Sequence, residues 1–396
     1  MLTVAEFRTG DQIEKIRRLW TDLWSQTRLR SFYQSFEWFN AVQREFSKRE
    51  SPRVFVASLA GIPVGIVPCV LRHTPSPFGI IRRLSLGTPG SSPFAGVVGS
   101  NPTATLLATM RYLRNSHRDW DMLDFQGIDV DGQDRGRIFN AMRLAGLHPQ
   151  KKSSPVSSIV QINGEWQNYW KSRPQNVRVE YDCAEKRLPF LGEIRFLRYR
   201  PEEGSKQPRW DLFSSILRAN AQSLFPDSKG CRRVLTRKQQ RILGNAHQSA
   251  VERGAVEMNL LYVNNRPMAS AYNYCCDGHV EGILLGMAAD ALPDAGTLLL
   301  GMMLRDSFER GDVFYRFPAG DFPAINAWAT GFSRRGHLVH YPAFSMRAQL
   351  ARFGEWLTGN EAAQPTPSVP ELVAPLPPHQ HSEVPPPKHH EFKIVG

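Results

Sequence analysis

The stretch from 279 to 317, HVEGILLGM-AADALPD-AGTLLLGMMLRDSFER-GDVFYRF, decides how the rest of the chain is read. HVEGILLGM reads as a strand ending at Met287. AADALPD is a short connection, and a helix opens near Gly296 and runs to Arg310. Asp312–Phe317 reads as a second strand. A helix start at the end of a strand carries backbone N–H groups with no acceptor of their own, and the helix dipole points at the same spot, so it suits an anion. Gly296 lets a ligand approach the backbone closely. A Gly-Thr pair at a helix start is, by itself, more often a plain cap.

Working outward, VEMNLLYVN (256–264), RPMASAYNYCC (266–276) and HVEGILLGM (279–287) read as a three-stranded meander, with turns at Asn264-Asn265 and Asp277-Gly278 that tolerate positive φ. Helices are expected at 210–225 and at 236–251, the latter capped by Thr236, and a strand at 193–199. A helix holding Trp166 and Trp170 comes earlier, followed by a basic polar stretch through Arg187. In the first half, a helix is expected from Asp11, with Ile13, Ile16, Leu19, Leu23 and Trp24 on one face, and another after Ser35. RVFVASL (53–59) and IPVGIVPCVL (62–71) form a hairpin across Ala60-Gly61, with Pro68 forcing an edge or a bulge. Residues 74–102 read as a long irregular loop, and Asn101-Pro102 as the cap and first turn of a helix to Asn115. WDMLDFQGI (120–128) is a strand, Ile138, Met142 and Leu144 mark a helix, and Ser157–Ile162 a strand. Near the other end, a short helix is expected at Ile325 and a strand at His337–Phe344.

The chain has 396 residues, enough for two domains, and 41% hydrophobic content excludes a wholly disordered protein. Forty-nine Lys and Arg against 37 Asp and Glu give a formal charge of +12, which favours acidic partners such as phosphates, a pyrophosphate-bearing cofactor, nucleic acid or an anionic membrane. Five irregularly spaced cysteines without a CxxC pair argue against a zinc site or a disulfide framework and for a reducing compartment. No secretory leader and no bilayer-length apolar run is visible, so the expectation is a cytoplasmic protein without a membrane span. After residue 358 the prolines multiply and apolar periodicity stops, which predicts a disordered Pro/His-rich tail over 359–396.

The order meander, anion loop, apolar helix, strand resembles the GCN5-related N-acetyltransferase (GNAT) fold. Residues 1–345 resemble more specifically its FemAB-like and CelD-like branch, the BioF-like acetyltransferase domain of cellulose and exopolysaccharide biosynthesis. SFYQSFEWFNAVQREF (31–46) looks like the branch's opening helix, WDMLDFQGI like its central strand, and PDAGTLLL (293–300) like its Ser-Pro-Gly-Thr-Leu-Leu motif. In GDVFYRFPAGDFPAINAWATGFSRRGHLVHY (311–341), Gly320, Asp321, Trp328, Ala329, Thr330 and Gly331 match the closing block. Ala324-Ile325 stand where the family has Tyr-Lys. The basic segment SRPQNVRVEYDCAEKRL (172–188) keeps Arg173, Arg178, Lys186 and Arg187, diluted by Pro174, Glu180 and Asp182.

The resemblance implies an α/β fold with a mixed sheet: two tandem GNAT-like domains at 1–163 and 164–358, and the tail. It implies acetyl-CoA or another acyl-CoA as donor, held by Ala295, Gly296 and Thr297, with no metal. The acceptor is an amine, an amino sugar or another amine of envelope or exopolysaccharide synthesis, and polysaccharide-synthesis proteins are the expected partners. Attack of an amine on a thioester needs a neutral amine, donors for the oxyanion and a proton for the thiolate. Asp321 is the candidate to orient or deprotonate the amine, against an equally weighted role as a helix cap. Tyr315 is the candidate proton donor, against burial on its strand. Trp328, Arg334 and Arg335 are candidates for substrate contact, against core packing and a solvated turn. Asp124 is expected in a salt bridge, and His279, His337 and His340 receive no role. Two other readings stay open. One is FemAB-type transfer from aminoacyl-tRNA, the only reading that brings in nucleic acid. The other is a non-catalytic scaffold whose Pro-rich tail docks on partners.

Overall fold

The structure is a computed structural model and describes residues 2–46, 50–87, 96–152, 156–220, 222–223, 235–292, 294–318, 320, 322–357 and 392–393. The chain divides into two compact units, Met1–Pro155 with Ser333–Glu371 and Val156–Phe332 with Leu372–Gly396. In chain order the first unit contains β1 (Leu2–Phe7), α1 (Gly10–Lys15), α2 (Arg17–Ser25), α3 (Phe36–Phe46), β2 (Glu50–Leu59), β3 (Ile62–Ser76), β4 (Gly79–Leu86), α4 (Pro102–Asn115), β5 (Met122–Asp129), α5 (Arg137–Leu144) and β6 (Gln150–Lys152). The second contains β7 (Val156–Gln161), α6 (Trp166–Lys171), α7 (Gln175–Arg187), β8 (Ile194–Tyr199), α8 (Trp210–Arg218), β9 (Gln222–Ser223), α9 (Arg237–Glu252), β10 (Val256–Val263), β11 (Arg266–Cys276), β12 (His279–Met287), α10 (Ala295–Arg310), β13 (Phe314–Arg316) and α11 (Pro323–Asn326). β14 (Gly331–His340) and α12 (Met346–Leu357) return the chain to the first unit from Ser333 onward.

Each unit repeats one topology. In the first, β1-β2-β3-β4 are antiparallel, β4 runs parallel to β5, and β14 closes the order antiparallel to β5. In the second, β8-β10-β11-β12 are antiparallel, β12 runs parallel to β13, and β7 closes the order. A parallel pair needs a crossover, supplied by α4 between β4 and β5 and by α10 between β12 and β13. Each closing strand comes from the other part of the sequence. Val156–Asn163 therefore sits with the second unit and Ser333–Leu357 with the first, which the chain-order limits 1–163 and 164–358 do not express.

The meander turns form where the sequence places them: Asn264 and Asn265 take φ of +50° and +60°, and Asp277 and Gly278 +50° and +75°. Thr236 caps α9 in a capping box with Gln239, and Asn101 caps α4 with Pro102 at its first position. Other expectations need correction. The loop expected over 74–102 contains β4, with Ile81, Leu84 and Leu86 buried. The basic stretch before Arg187 is α7, which buries Val177, Tyr181 and Ala184. α8 stops at Arg218 rather than 225, and the first helix is capped by Thr9 and breaks at Ile16. β14 starts at Gly331, not at His337. Of the tail, only Phe392–Lys393 are described; they pair antiparallel with β8, and the remaining tail residues lie outside the described set.

One sheet face of the second unit packs on α6, α7 and α10 through Leu261, Ala271, Val280, Leu298, Leu299 and Met303. The opposite face buries His247 of α9 beside Phe213 and Tyr272. The Tyr272 hydroxyl donates to His247 Nδ1 (2.9 Å), and Nε2–H donates to the Pro208 carbonyl (2.6 Å). Burial, only partly offset by that carbonyl, pushes the imidazole down to about 4. The unfolded chain therefore binds a proton below pH ~6.5 that the folded chain refuses until pH ~4, so stability falls as pH drops through that window. Between pH 7 and 5 this group removes about 2 kcal/mol. Urea unfolding at both pH values should show His247→Gln losing that share of the pH dependence. Equal slopes in variant and wild type would contradict a neutral buried imidazole.

Candidate functional site

β12 and β13 pair only over His279–Glu281 and Phe314–Arg316. Beyond that point the chain after β13 turns across β12: a Cβ on Gly282 would lie 2.9 Å from Pro318 Cδ and 3.0 Å from the Arg316 carbonyl. Glycine there permits the crossing. β12 continues to Met287 alongside β11 and delivers the chain into the loop before α10. Inside the loop, Ala288 N–H donates to the Met268 carbonyl (2.8 Å) and Ala295 N–H to the Leu292 carbonyl (3.0 Å). α10 then begins at Ala295, one residue ahead of the expected start. Its N-cap, Asp294, gives the helix no side-chain cap, because its carboxylate accepts from Arg187 Nε at 2.6 Å. Gly296 and Thr297 stand at the second and third helical positions, where the helix supplies their N–H groups with no acceptor. Ala295 and Gly296 are buried and Thr297 is half-buried. A 16-residue helix aimed this way at the end of a parallel strand can hold a phosphate or pyrophosphate.

Beneath the other end of α10 lies a buried polar network. Arg200 bridges Asp312 (2.9 and 3.1 Å) and Glu257 (3.3 Å) and reaches Cys275, while Asn259 and Asn273 donate to Glu257 at 2.8 and 3.0 Å. Burial alone would raise Glu257, but Arg200, Arg198 and the two amides hold it below the usual carboxylate range, whereas burial keeps Asp312 raised. Tyr315 belongs to this network. It is fully buried, its hydroxyl donates to Asn273 Oδ1 (3.0 Å), and burial with Glu257 nearby pushes it well above the usual phenol range. The structure thus gives Tyr315 a place in the core, because alternation along β13 turns it inward.

Trp328 is likewise core. It packs against Trp170 and Tyr181, and its carbonyl accepts from the Tyr169 hydroxyl (2.7 Å). Arg334 and Arg335 lie on β14 in the first unit, while Ala295, Gly296 and Thr297 belong to the second. Arg334 is exposed and binds Asp131 through its backbone N–H (2.9 Å) and Nη2 (3.1 Å); Arg335 pairs in register with Asp129. Asp321 lies outside the described residues. Gly320 before it has φ +154°, and a Cβ there would meet the Phe322 ring at 2.4 Å. Asp124 is salt-bridged as expected, to Arg83 (3.4 Å), and its Oδ1 is hydrogen-bonded with His337 Nε2 (2.7 Å), so His337 is not isolated.

Two features at the β12 strand escaped the sequence reading. Glu281 pairs with Arg316 at 3.2 Å across the last parallel register, both buried; a charged residue inside an apolar strand was the available signal. Asn220 is 93% buried (7% exposed), its carboxamide Nδ2 has no partner among the described residues, and a Cβ on Gly286 would lie 2.5 Å from that nitrogen. It follows α8 in sequence, and nothing local marks it. The first unit holds a cavity of about 250 Å³ at the start of α4, lined by Arg28, Arg135, Arg137, Asp129 and Asp134. Asp129 and Asp134 accept from backbone N–H groups of the adjoining turn, and the three arginines outnumber the two carboxylates in the lining. Among the described residues no group of three or more His, Cys, Asp or Glu is placed to hold a metal, and no helix is long and apolar enough to cross a membrane.

Residues 176–324 match the family model of the acetyltransferase (GNAT) domain. The chain resembles the crystal structure of FemX, with a TM-score of 0.55 at 10% identity over 88% of this chain and 99% of that one. Two further solved structures are similar at lower scores. The C-terminal domain of a lysylphosphatidylglycerol synthetase from Agrobacterium fabrum has a TM-score of 0.49 at 11% identity, covering 87% and 96%. A tandem GNAT protein from the clavulanic acid biosynthesis pathway has a TM-score of 0.40 at 11% identity, covering 86% and 98%. No curated protein sequence matches the chain. Fold and family match together define the class: a mixed α/β protein of two GNAT-like units. Its second unit contains the residues that match the GNAT acetyltransferase model.

Proposed function

We propose that the chain is an acyl-CoA-dependent N-acyltransferase whose second unit holds the donor pyrophosphate on the N–H groups of Gly296 and Thr297; Ala295, expected with them, opens the turn but has its own N–H committed to the Leu292 carbonyl. The observation that supports this most directly is the uncapped start of α10 at the end of the parallel β12 strand, inside the matched GNAT domain. The acceptor nitrogen attacks the thioester carbonyl carbon, the C–S bond breaks, and the amine's proton leaves as the thiol forms. Positioning supplies much of such a rate. Asp321 is proposed to orient the amine, and an amino sugar or another amine of envelope or polysaccharide synthesis is the proposed acceptor. Tyr315 is not proposed as the proton donor, since its hydroxyl is committed to Asn273.

Isothermal titration with acetyl-CoA, and thiol release with an amine panel, test the reading. Gly296→Glu should place a carboxylate where the pyrophosphate sits and weaken donor binding at least about 100-fold while the protein stays folded. Unchanged affinity would remove this helix start from the site. The likeness to FemX keeps aminoacyl-tRNA as a second donor class. Turnover with aminoacyl-tRNA and none with acyl-CoA would decide for it, and no turnover with either would favour the scaffold reading.

A further inference from the structure

α12 packs on the first unit the wrong way round for an ordinary surface helix. At 100° per residue, Ala348, Ala351 and Glu355 share one face within about 60°, and Met346, Leu350 and Phe353 share the opposite face within about 60°. The inner face is the small one. Ala348 and Ala351 are buried against Ile81, Met122, Val339 and Tyr341. Glu355 is tied down by the Tyr341 hydroxyl (2.6 Å) and Arg83 (3.2 Å). The large apolar residues point outward: Met346 is 83% exposed and Phe353 48%. Phe344, just before the helix, is fully exposed. Phe78 at the β3–β4 turn extends the patch, its ring 6.2 Å from that of Phe353, and Ile80 on β4 adds a further exposed apolar side chain close by in sequence. Arg347 and Arg352 lie on opposite sides of the helix, about 60° beyond Leu350 and about 100° beyond Phe353; both are exposed, and Arg347 stands close enough to Asp121 to help hold that carboxyl down.

We propose that this outer face is a docking surface for an anionic lipid bilayer. An apolar stripe of Met, Leu and Phe rimmed by arginines is the pattern of a helix that lies in a membrane interface, its apolar side among the acyl chains and its cations at the headgroups. The occupant is chosen by charge. The only carboxylate on α12 is held on the inner face, and the chain carries +12 overall. A second copy of the chain would bring the same cations against Arg347 and Arg352, and nothing acidic on the helix would answer them. The residues following α12 offer little apolar surface to cover it, since TGNEAAQPTPSVPELVAPLPPHQ is mostly proline and polar residues.

The test is co-sedimentation of the full chain with vesicles of phosphatidylcholine alone and of phosphatidylcholine with phosphatidylglycerol. The wild type should bind the anionic vesicles and not the neutral ones, and raised salt should weaken binding. Leu350→Ser with Phe353→Ser should lower the partition coefficient by about tenfold or more. Arg347→Gln with Arg352→Gln should lower it by several-fold. Both arginines are exposed, but Leu350 is 36% and Phe353 48% exposed, so the melting temperature of each variant is measured alongside and the arginine pair, which leaves the packing untouched, keeps the test independent of folding. Absence of binding to anionic vesicles overturns the proposal, as does equal binding by the serine variant. A concentration-dependent dimer that the serine variant loses would assign the face to a second copy. Vesicle binding that appears only on removing residues 358–396 would assign it to the tail.

Discussion

Arg200→Leu is expected to cost the second unit about 3–5 kcal/mol, because it strands two buried carboxylates. Arg200 follows β8 and is 11% exposed at its side chain; its guanidinium forks onto both oxygens of Asp312 and also meets Glu257. Those two acids come from the turn before β13 and from β10, so one cation ties together the strand that leads out of α10 and the middle of the sheet. Without it, Asp312 and Glu257 repel each other in a site that water does not reach, and each favours its protonated form. Their folded-state affinity for protons then exceeds that of the unfolded chain, so the penalty should shrink as pH falls from 8 to 5. Arg200→Lys keeps the charge but loses the fork, and should cost less. Hydrogen exchange of the β10 and β11 amides at two pH values reads both effects. A pH-independent loss would mean that the network is held by packing rather than by charge.

The sequence showed the meander and its crossover because the signals there are local. Asn264-Asn265 and Asp277-Gly278 need positive φ, Thr236 and Gln239 form a capping box three residues apart, and Asn101-Pro102 mark a helix start; every one of these is where it was expected. The elements and pairings not expected, β1, β4 and the exchange of β7 and β14 between units, depend on partners far along the chain. β1 pairs with residues 54–59, about fifty positions on, and β4 acquires its parallel edge from Met122–Asp124. β7 and β14 each complete a sheet with strands more than 150 and 200 positions away, respectively, an exchange that no window of sequence can display. At the candidate site the split is the same. Gly296 and Thr297 sit in a strand–loop–helix pattern that is read locally. The burial of Tyr315 and Trp328, the unpartnered amide of Asn220 and the outward turn of α12 are decided by what the fold packs against them.

Gly301 provides the case in which helix propensity and packing oppose each other most sharply. It lies inside α10, where replacing glycine by alanine normally stabilises a helix by up to about 1 kcal/mol. Here a Cβ would stand 2.0 Å from Cε2 and 2.4 Å from Cδ2 of the Tyr181 ring, distances that real side chains do not adopt. Tyr181 cannot step aside freely, since its ring meets Trp170 and Trp328 edge-on, with centroids 5.2 and 6.2 Å away. The gap at Gly301 is what lets α7 close on α10 and fixes the line along which α10 presents its first turn. Gly301→Ala should therefore destabilise by about 1–3 kcal/mol, the reverse of the propensity sign, and Gly301→Leu by about 3 kcal/mol or more. Tyr181→Ala makes room for the added carbon. Combined with Gly301→Ala, it should cost less than the two single changes added together, by about 1 kcal/mol or more. Chemical denaturation of the four proteins in that cycle settles the point. Strict additivity, or an alanine variant more stable than the wild type, would show that α7 moves away without loss and that the close approach is not what positions α10.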